Sequence, residues 1–177
     1  MIVLASTSPY RRALLERLGL PFAVISPHVD ETAAAHESPR DMALRLALAK
    51  AQAVYPRAAG AAIIGSDQVA SLGGEPLGKP GSRAAAIWQL RRMQGQPVVF
   101  HTGLALVGPN PQSVQIECVD TLVQFRELSD DDIESYVDQD QPFDVAGAAK
   151  IESLGIALVK SVQSTDPTAL IGLPLIA

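Results

Sequence analysis

The sequence predicts an α/β protein that folds as one compact unit, and three observations support this prediction. Segments with the pattern of strands alternate along the chain with segments that have the pattern of helices. Hydrophobic residues make up 47% and charged residues 19% of the chain, which is enough apolar surface for a buried core. A length of 177 residues allows one good core, or two small lobes around a cleft, but not two large domains.

The chain is predicted to begin with a strand, a helix and a second strand. Residues 2–4 form a short apolar run that is typical of a strand. Ser8 suits a helix N-cap and Pro9 suits the first helical position, so a helix is expected to begin there and to end near Gly19. A second short strand is predicted at residues 22–26, followed by a polar loop.

The second helix has clear sequence signals at both ends. Ser38, Pro39 and Asp41 provide an N-cap, a proline at the first position and a capping box, and the helix is expected to continue to Tyr55. Its predicted buried stripe consists of Met42, Leu46, Ala49 and Ala53. Lys50 lies at the margin of that stripe, so we expect its stem to be partly buried.

The remaining segments continue the alternation of strands and helices. They are a strand at 61–69, an irregular loop rich in glycine and proline at 73–81, a helix at 82–93, an antiparallel strand pair at 98–107 and 114–125, a helix at 129–137 and a strand near 156–162. The strand at 61–69 carries polar residues near its end, at positions 65–68. Because α/β proteins bind ligands at the ends of buried strands, this segment is a candidate binding region.

Composition and charge exclude several classes of function. A net charge of −5 argues against a nucleic-acid-binding face, so an anionic ligand must be held by a local group of cations. The single cysteine, Cys118, excludes an internal disulfide and is expected to be a small core residue. His28, His36 and His101 lack the spacing of metal ligands, so no zinc site is expected. No segment has the length of a membrane span, and Arg11 comes before any secretory signal could form, so we expect a cytoplasmic protein without a membrane partner.

The start of the first helix predicts an anion site. The first turn of a helix carries partial positive charge and unpaired N–H groups, so Arg11 and Arg12 are unfavourable there without an anion. A bound polyphosphate would accept hydrogen bonds from these N–H groups and from the hydroxyls of Ser6, Thr7 and Ser8. The alternative is a capped helix with two solvated arginines.

Four cations and two acids lie at positions that loops and strand ends could bring together. The cations are Arg11, Arg12, Lys50 and Lys79, and the acids are Glu31 and Asp67. Arginine and lysine can hold a triphosphate, while carboxylates bind a hard divalent ion such as Mg²⁺. Asp67 is the candidate that orients and deprotonates a water molecule for cleavage of a phosphoanhydride. The alternative is that single acids at strand ends are structural, and no Walker-type motif is present.

Seven short motifs occur in a fixed order over nearly the whole chain. They are A-S-x-S-P-x-R from Ala5, V-D-E ending at Glu31, R-L-A-x-x-K-A from Arg45, G-S-D ending at Asp67, G-K-P from Gly78, Ala146-Gly147, and G-L-P-L from Gly172. In this order they resemble the Maf family of nucleoside triphosphate pyrophosphatases.

The resemblance implies hydrolysis between the α and β phosphates with a divalent cation, Mg²⁺ or Mn²⁺. It implies a single Maf-like domain over residues 1–177, with a long mixed central sheet and two lobes flanking a cleft as in the inosine triphosphatases, and a homodimer. On matching positions Asp67 becomes the proton acceptor, and Glu31 and Asp67 hold the metal. The phosphate-binding residues that the resemblance implies are Ser8, Arg11, Lys50 and Lys79, with Arg12 at a less characteristic position.

Three positions favour the 7-methyl-GTP pyrophosphatase branch of that family over the dTTP/UTP branch. Tyr10 stands where the dTTP/UTP type tends to have arginine, and its ring can stack on the cationic base. Glu152 offers a carboxylate that can accept from both N1–H and the N2 amine of guanine. Gln68 replaces a threonine, and its side chain should face away from that of Asp67 and shape the pocket.

Each of these three positions also has a simpler interpretation. Tyr10 can be a surface aromatic, Gln68 a strand-end hydrogen-bonding residue and Glu152 a solvated loop acid. Two further functions therefore stay open at this point. One is a dTTP/UTP pyrophosphatase with the same machinery, and the other is a nucleotide-sensing regulator of cell division that binds without turnover.

Overall fold

The computed structural model describes residues 1–177 as a seven-stranded mixed sheet with four α-helices. The strands are β1 (Ile2–Ala5), β2 (Phe22–Ile25), β3 (Ala62–Leu72), β4 (Glu75–Leu77), β5 (Pro97–Val107), β6 (Val114–Phe125) and β7 (Val159–Gln163). The helices are α1 (Pro9–Glu16), α2 (Pro39–Val54), α3 (Arg83–Met93) and α4 (Asp130–Asp140). The predicted α/β class is confirmed. None of these helices has both the length and the apolar character needed to cross a bilayer.

The sheet has the strand order β2-β1-β3-β5-β6-β7, and β4 pairs with β3. β1 pairs in parallel with β2 and β3, whereas the other pairs are antiparallel. β1 ends at Ala5, which lies opposite Gly65 of β3, and β3 continues past it. The loop after β1 and the residues of β3 from Ser66 onward therefore meet at the carboxyl end of β1, where open α/β sheets bind ligands.

Two predicted segments differ from the structure. The loop predicted at 73–81 contains a short hairpin, in which Gly73 and Gly74, both with positive φ, turn the chain so that β4 pairs with the end of β3. The strand predicted near 156–162 begins only at Val159, because Leu154–Leu158 form a 3-10 helix. There the backbone of Gly155 packs so closely on Lys150 that an added Cβ would overlap it.

Helix α2 packs on β3 and β5 through glycine. A Cβ on Gly65 would overlap the carbonyl oxygen of Ala47, and a Cβ on Gly103 would overlap that of Ala43. The buried face of α2 therefore differs from the predicted stripe, of which only Leu46 is fully buried. The residues of the observed buried face are Pro39, Ala43, Leu46, Ala47, Lys50, Ala51 and Val54. Because the alanines lie against the sheet, the stem of Lys50 also lies on the buried face.

Two groups of buried apolar side chains support this arrangement. The larger has 18 residues and joins α3 and α4 to one end of β5 and β6, with Leu90, Phe100 and Ile133 among its members. The second has 10 residues and joins α2 to β1, β3 and β5. The single domain over residues 1–177 and its division into two lobes around a cleft stay predictions.

Candidate functional site

A cleft with a volume of about 490 Å³ opens beyond the carboxyl end of β1. Its walls come from the loop after β1, the start of α1, the cleft-facing side of α2, the middle of β3 and the segment after β4. Eight of the ten predicted site residues line it, namely Ser8, Tyr10, Arg11, Glu31, Lys50, Asp67, Gln68 and Lys79. The fold thus brings together residues that are far apart in the sequence.

Lys50 lies between two carboxylates at the centre of the cleft. Its Nζ is 2.5 Å from Oδ1 of Asp67 and 2.6 Å from Oε1 of Glu31. The side chains of Lys50 and Asp67 are only 7% and 10% exposed, so this contact is largely shielded from water. Lys79 is exposed, and its Nζ lies 3.8 Å from Oε2 of Glu31. The result is a chain of alternating charge from the buried strand to the mouth of the cleft.

The charges around Glu31 set the direction in which its pKa is shifted. Burial acts to raise the pKa of Glu31, but the hydrogen bond and charge of Lys50, with the charges of Lys79 and Arg11, outweigh it. The pKa of Glu31 is therefore lower than its ordinary value. Glu31 is a carboxylate at neutral pH.

Arg11 is positioned by both ends of the chain. Ser8 caps α1 by accepting a hydrogen bond from the backbone N–H of Arg11, and the Nε–H of Arg11 donates to the carbonyl oxygen of Gly172 at 2.8 Å. The same carbonyl accepts from the hydroxyl of Ser66. Burial lowers the pKa of Arg11, although the charges of Asp67 and Glu31 act to raise it. With its Nε fixed, Arg11 lines the cleft, where a guanidinium group suits an anion.

Arg12 is not brought into this group. Its Nε pairs with Oε1 of Glu16 at 3.0 Å, one helical turn away, and both side chains are mostly exposed, at 63% and 53%. Successive residues on a helix point about 100° apart, so only one of two adjacent arginines can face the cleft. The solvated-arginine alternative fits Arg12, and the anion-binding interpretation fits Arg11.

Gln68 lies on the opposite side of β3 from Asp67. Its Nε2 donates to the hydroxyl oxygen of Thr102 and to the carbonyl oxygens of Ala169 and Leu170. These bonds fasten the turn before Gly172 to the sheet. The side-chain amide nitrogen of Gln68 thus binds within the protein, in keeping with a role in pocket shape.

Glu152 does not line the cleft, whereas Asp144, which sequence reasoning missed, does. The two acids lie near Lys150, whose Nζ is 3.3 Å from Oδ1 of Asp144. Burial raises the pKa of Glu152, and the charges of Asp140 and Asp144 act in the same direction. Burial acts to lower the pKa of Lys150, but Asp144 and the nearby Tyr10 outweigh it and raise that pKa. Only the position of Asp144 next to the Ala146-Gly147 motif could have pointed to it.

The carboxylates of Glu31 and Asp67 are suited to a hard cation. Each has one oxygen within 2.6 Å of the same ammonium nitrogen, so their oxygens already converge on one positive charge. Carboxylate oxygens are the ligands that Mg²⁺ and Mn²⁺ prefer. These two residues could therefore hold such an ion beside a phosphate gripped by Arg11.

Several known proteins are similar to this chain. The profile of the family described as Maf-like protein matches residues 1–177. A 7-methyl-GTP pyrophosphatase of Aromatoleum aromaticum is 58% identical over 176 residues, covering 99% of this chain and 91% of that protein. A protein of the same name from Ralstonia nicotianae is 54% identical with the same coverage. Among solved structures, the Staphylococcus aureus Ham1 protein has a TM-score of 0.51 and 17% identity over 71% of this chain and 72% of that one, a likeness of fold.

Proposed function

Because this chain belongs to the Maf family, we propose that it hydrolyses 7-methyl-GTP at the α–β phosphoanhydride, releasing 7-methyl-GMP and pyrophosphate. Its role would be housekeeping removal of modified nucleotides. The observation that carries the proposal is the charge arrangement of the cleft. A buried lysine joins two carboxylates there, next to an arginine whose terminal nitrogens form no ion pair within the protein.

The triphosphate is bound by the cations at the two sides of the cleft. Arg11 offers two terminal nitrogens in one plane, which suit two oxygens of a phosphate group. Lys79 supplies a positive charge at the mouth, where its side chain is 61% exposed. Ser8 holds the first turn of α1 in place, so that the positive end of the helix faces the same phosphates.

Asp67 is the proposed proton acceptor. A water molecule attacks the α phosphorus as its proton passes to the carboxylate of Asp67, and the bond from that phosphorus to the bridging oxygen breaks, so that pyrophosphate leaves. Lys50 holds the Asp67 carboxylate in position through its short contact to Oδ1. When bound to Glu31 and Asp67, a divalent cation, Mg²⁺ or Mn²⁺, would offset the negative charge on the phosphate oxygens.

The base is proposed to lie against Tyr10. The 7-methylguanine ring carries a fixed positive charge, which favours stacking on an aromatic face. The acidic group near Tyr10, formed by Asp144 and Glu152 around Lys150, has one more negative than positive charge when both acids are ionised. Asp144 lines the cleft, so its carboxylate is the nearer candidate to accept from the guanine edge, with Glu152 behind it.

The bond that breaks and the preferred base can be tested together. The protein is incubated with Mg²⁺ and 7-methyl-GTP, GTP, dTTP or UTP in water enriched in ¹⁸O. The products are separated and their masses are measured by mass spectrometry. We expect the highest kcat/KM for 7-methyl-GTP, with ¹⁸O in the monophosphate. Orthophosphate with a diphosphate would overturn the reaction type, and a preference for UTP or dTTP would overturn the choice of base.

A second experiment separates an enzyme from a nucleotide-sensing regulator. Asp67→Asn removes the proton acceptor but keeps the shape of the side chain, so we expect it to abolish pyrophosphate release and to leave triphosphate binding within a few-fold. A wild-type protein that binds the nucleotide without releasing pyrophosphate would favour the regulator. The homodimer and the cytoplasmic location stay predictions, the first of which sedimentation analysis can test.

A further inference from the structure

A second group of metal-ligand side chains lies across the strand pair β5 and β6. His101 of β5 lies opposite Asp120 of β6, and Cys118 lies opposite Gly103. Nδ1 of His101 is 2.8 Å from Oδ1 of Asp120, Sγ of Cys118 is 3.6 Å from the same oxygen, and the three ligand atoms all lie within 4.8 Å of one another. We propose that these three residues bind a transition-metal ion of the zinc type, at a site separate from the nucleotide cleft.

Two of the three distances are near those of a tetrahedral site, and the third, from Nδ1 of His101 to Sγ of Cys118, is within 4.8 Å. With ordinary zinc–ligand bond lengths, two ligand atoms in such a site are about 3.3 to 3.6 Å apart. The distance from Sγ of Cys118 to the Asp120 oxygen already has this value. The His101–Asp120 distance must open by about 0.5 Å, which a small rotation of either side chain can supply. The exposed side of Asp120 leaves room for a water as the fourth ligand.

Neighbouring side chains orient two of the three ligands. Nε2 of His101 lies 3.1 Å from the hydroxyl oxygen of Ser71, and when it donates this bond the lone pair of Nδ1 faces the group. Arg40 donates from Nη1 to Oδ2 of Asp120 at 2.8 Å, which leaves Oδ1 directed at His101 and Cys118. Such outer hydrogen bonds to a ligating imidazole and carboxylate are typical of protein metal sites.

Charge also favours a divalent ion here. A thiolate and a carboxylate together carry two negative charges, so bound Zn²⁺ would leave a neutral group beside Arg40. A metal ion that binds here displaces the proton of the Cys118 thiol, as zinc does at other thiol ligands.

The site differs from the cleft in the metals that it selects. The cleft offers two carboxylates, which suit Mg²⁺ or Mn²⁺, whereas nitrogen and sulfur donors favour Zn²⁺ and Co²⁺. No spacing rule predicts this group, and the absence of a zinc site was the expectation from the sequence. The ligands are 17 and 2 residues apart along the chain and meet only through the register of β5 with β6.

The single cysteine makes the test specific. Co²⁺ bound to a thiolate gives a charge-transfer band in the near ultraviolet, and Cys118 is the only thiol of the chain. The reduced protein is titrated with Co²⁺, and Zn²⁺ is then added in competition. We expect a saturable band with one Co²⁺ per chain that Zn²⁺ removes.

Variants assign the remaining ligands. Cys118→Ser should abolish the band, and His101→Ala and Asp120→Asn should each weaken Co²⁺ binding by more than tenfold. Ser71→Ala should weaken it about tenfold, because the outer hydrogen bond to the imidazole is lost. His36→Ala, which removes an exposed histidine elsewhere, should leave the titration unchanged.

Two results would overturn the proposal. One is the absence of a charge-transfer band in the folded wild-type protein at a large excess of Co²⁺. The other is a band that persists with equal affinity in both His101→Ala and Asp120→Asn, since the thiol would then bind the ion alone. Circular dichroism of each variant shows whether it is folded. As a second measurement on the wild type, bound Zn²⁺ should protect the Cys118 thiol from an alkylating reagent.

Discussion

Replacing Lys50 by methionine tests the charge balance at the centre of the cleft. Methionine keeps an unbranched apolar stem but removes the ammonium that contacts both Asp67 and Glu31. At 2.5 to 2.6 Å each contact is worth about 6 kcal/mol of Coulomb energy at an effective dielectric constant of 20, most of which the desolvation of the ions offsets. Breaking a buried pair by removing one partner leaves the other charge uncompensated and costs about 3 to 5 kcal/mol.

The Asp67 contact accounts for most of this loss. Both of its partners are almost fully buried, whereas Glu31 is 45% exposed and water screens the charge that Lys50→Met leaves behind. We therefore expect Lys50→Met to lower the free energy of unfolding by about 4 kcal/mol at neutral pH. Asp67→Asn should cost only about 1 to 2 kcal/mol, because Lys50 then keeps Glu31 as its partner.

Urea unfolding of the two single variants and the double variant measures this asymmetry. The double variant should be more stable than Lys50→Met alone, since it no longer holds a buried carboxylate without a cation. Equal losses in Lys50→Met and Asp67→Asn, or a double variant less stable than either, would refute the assignment of Lys50 as the shared counter-ion.

Three further predictions concern the walls of the cleft. Arg11→Lys should lower kcat/KM for the triphosphate about 10- to 100-fold, because lysine cannot make the planar two-point contact of a guanidinium group. In the matched control, Arg12→Lys, kcat/KM should stay within about twofold of the wild type because this side chain is solvated. Steady-state pyrophosphate release measures both variants, and equal losses would contradict the placement of Arg11. Gly65→Ala should cost about 1 to 3 kcal/mol of stability in thermal unfolding, since its Cβ overlaps the backbone of α2, whereas Gly78→Ala, which meets nothing within 4 Å, should change stability by no more than about 0.5 kcal/mol. Because the pKa of Glu31 is lower in the folded protein, its carboxylate stabilises the fold fully at pH values above the ordinary pKa of 4.5, and this stabilisation is lost as the pH falls through the lower folded pKa. As the solution is made more acidic, the urea midpoint of Glu31→Gln should therefore fall less steeply than that of the wild type.

The local start of each helix could be predicted from the sequence. Ser8, Ser38, Ser82 and Ser129 each accept a hydrogen bond from a backbone N–H of the first turn. Such caps depend on residues within one turn, so the sequence contains all that determines them. The long antiparallel pair β5 and β6 was also predictable from its apolar runs and the turn between them.

Features that depend on contacts between distant segments were not predictable. The buried face of α2 follows from two glycines on β3 and β5, which no helical pattern within α2 contains. Arg11 and Arg12 have the same residue type, and only the direction of α1 separates the one that faces the cleft. Asp144 enters the cleft through the path of the segment after α4, for which periodicity gives no signal.

The glycine contacts beneath α2 also limit how this protein can change in evolution. Helix and sheet touch there through main-chain atoms, so a larger residue at Gly65 or Gly103 would lift the helix and carry Lys50 away from Asp67. The distance between the charges of Lys50 and Asp67 therefore cannot change in small increments. Diversification toward other nucleotides is expected instead on the opposite walls, where Tyr10 and Asp144 can be exchanged without disturbing the spacing of the reactive groups.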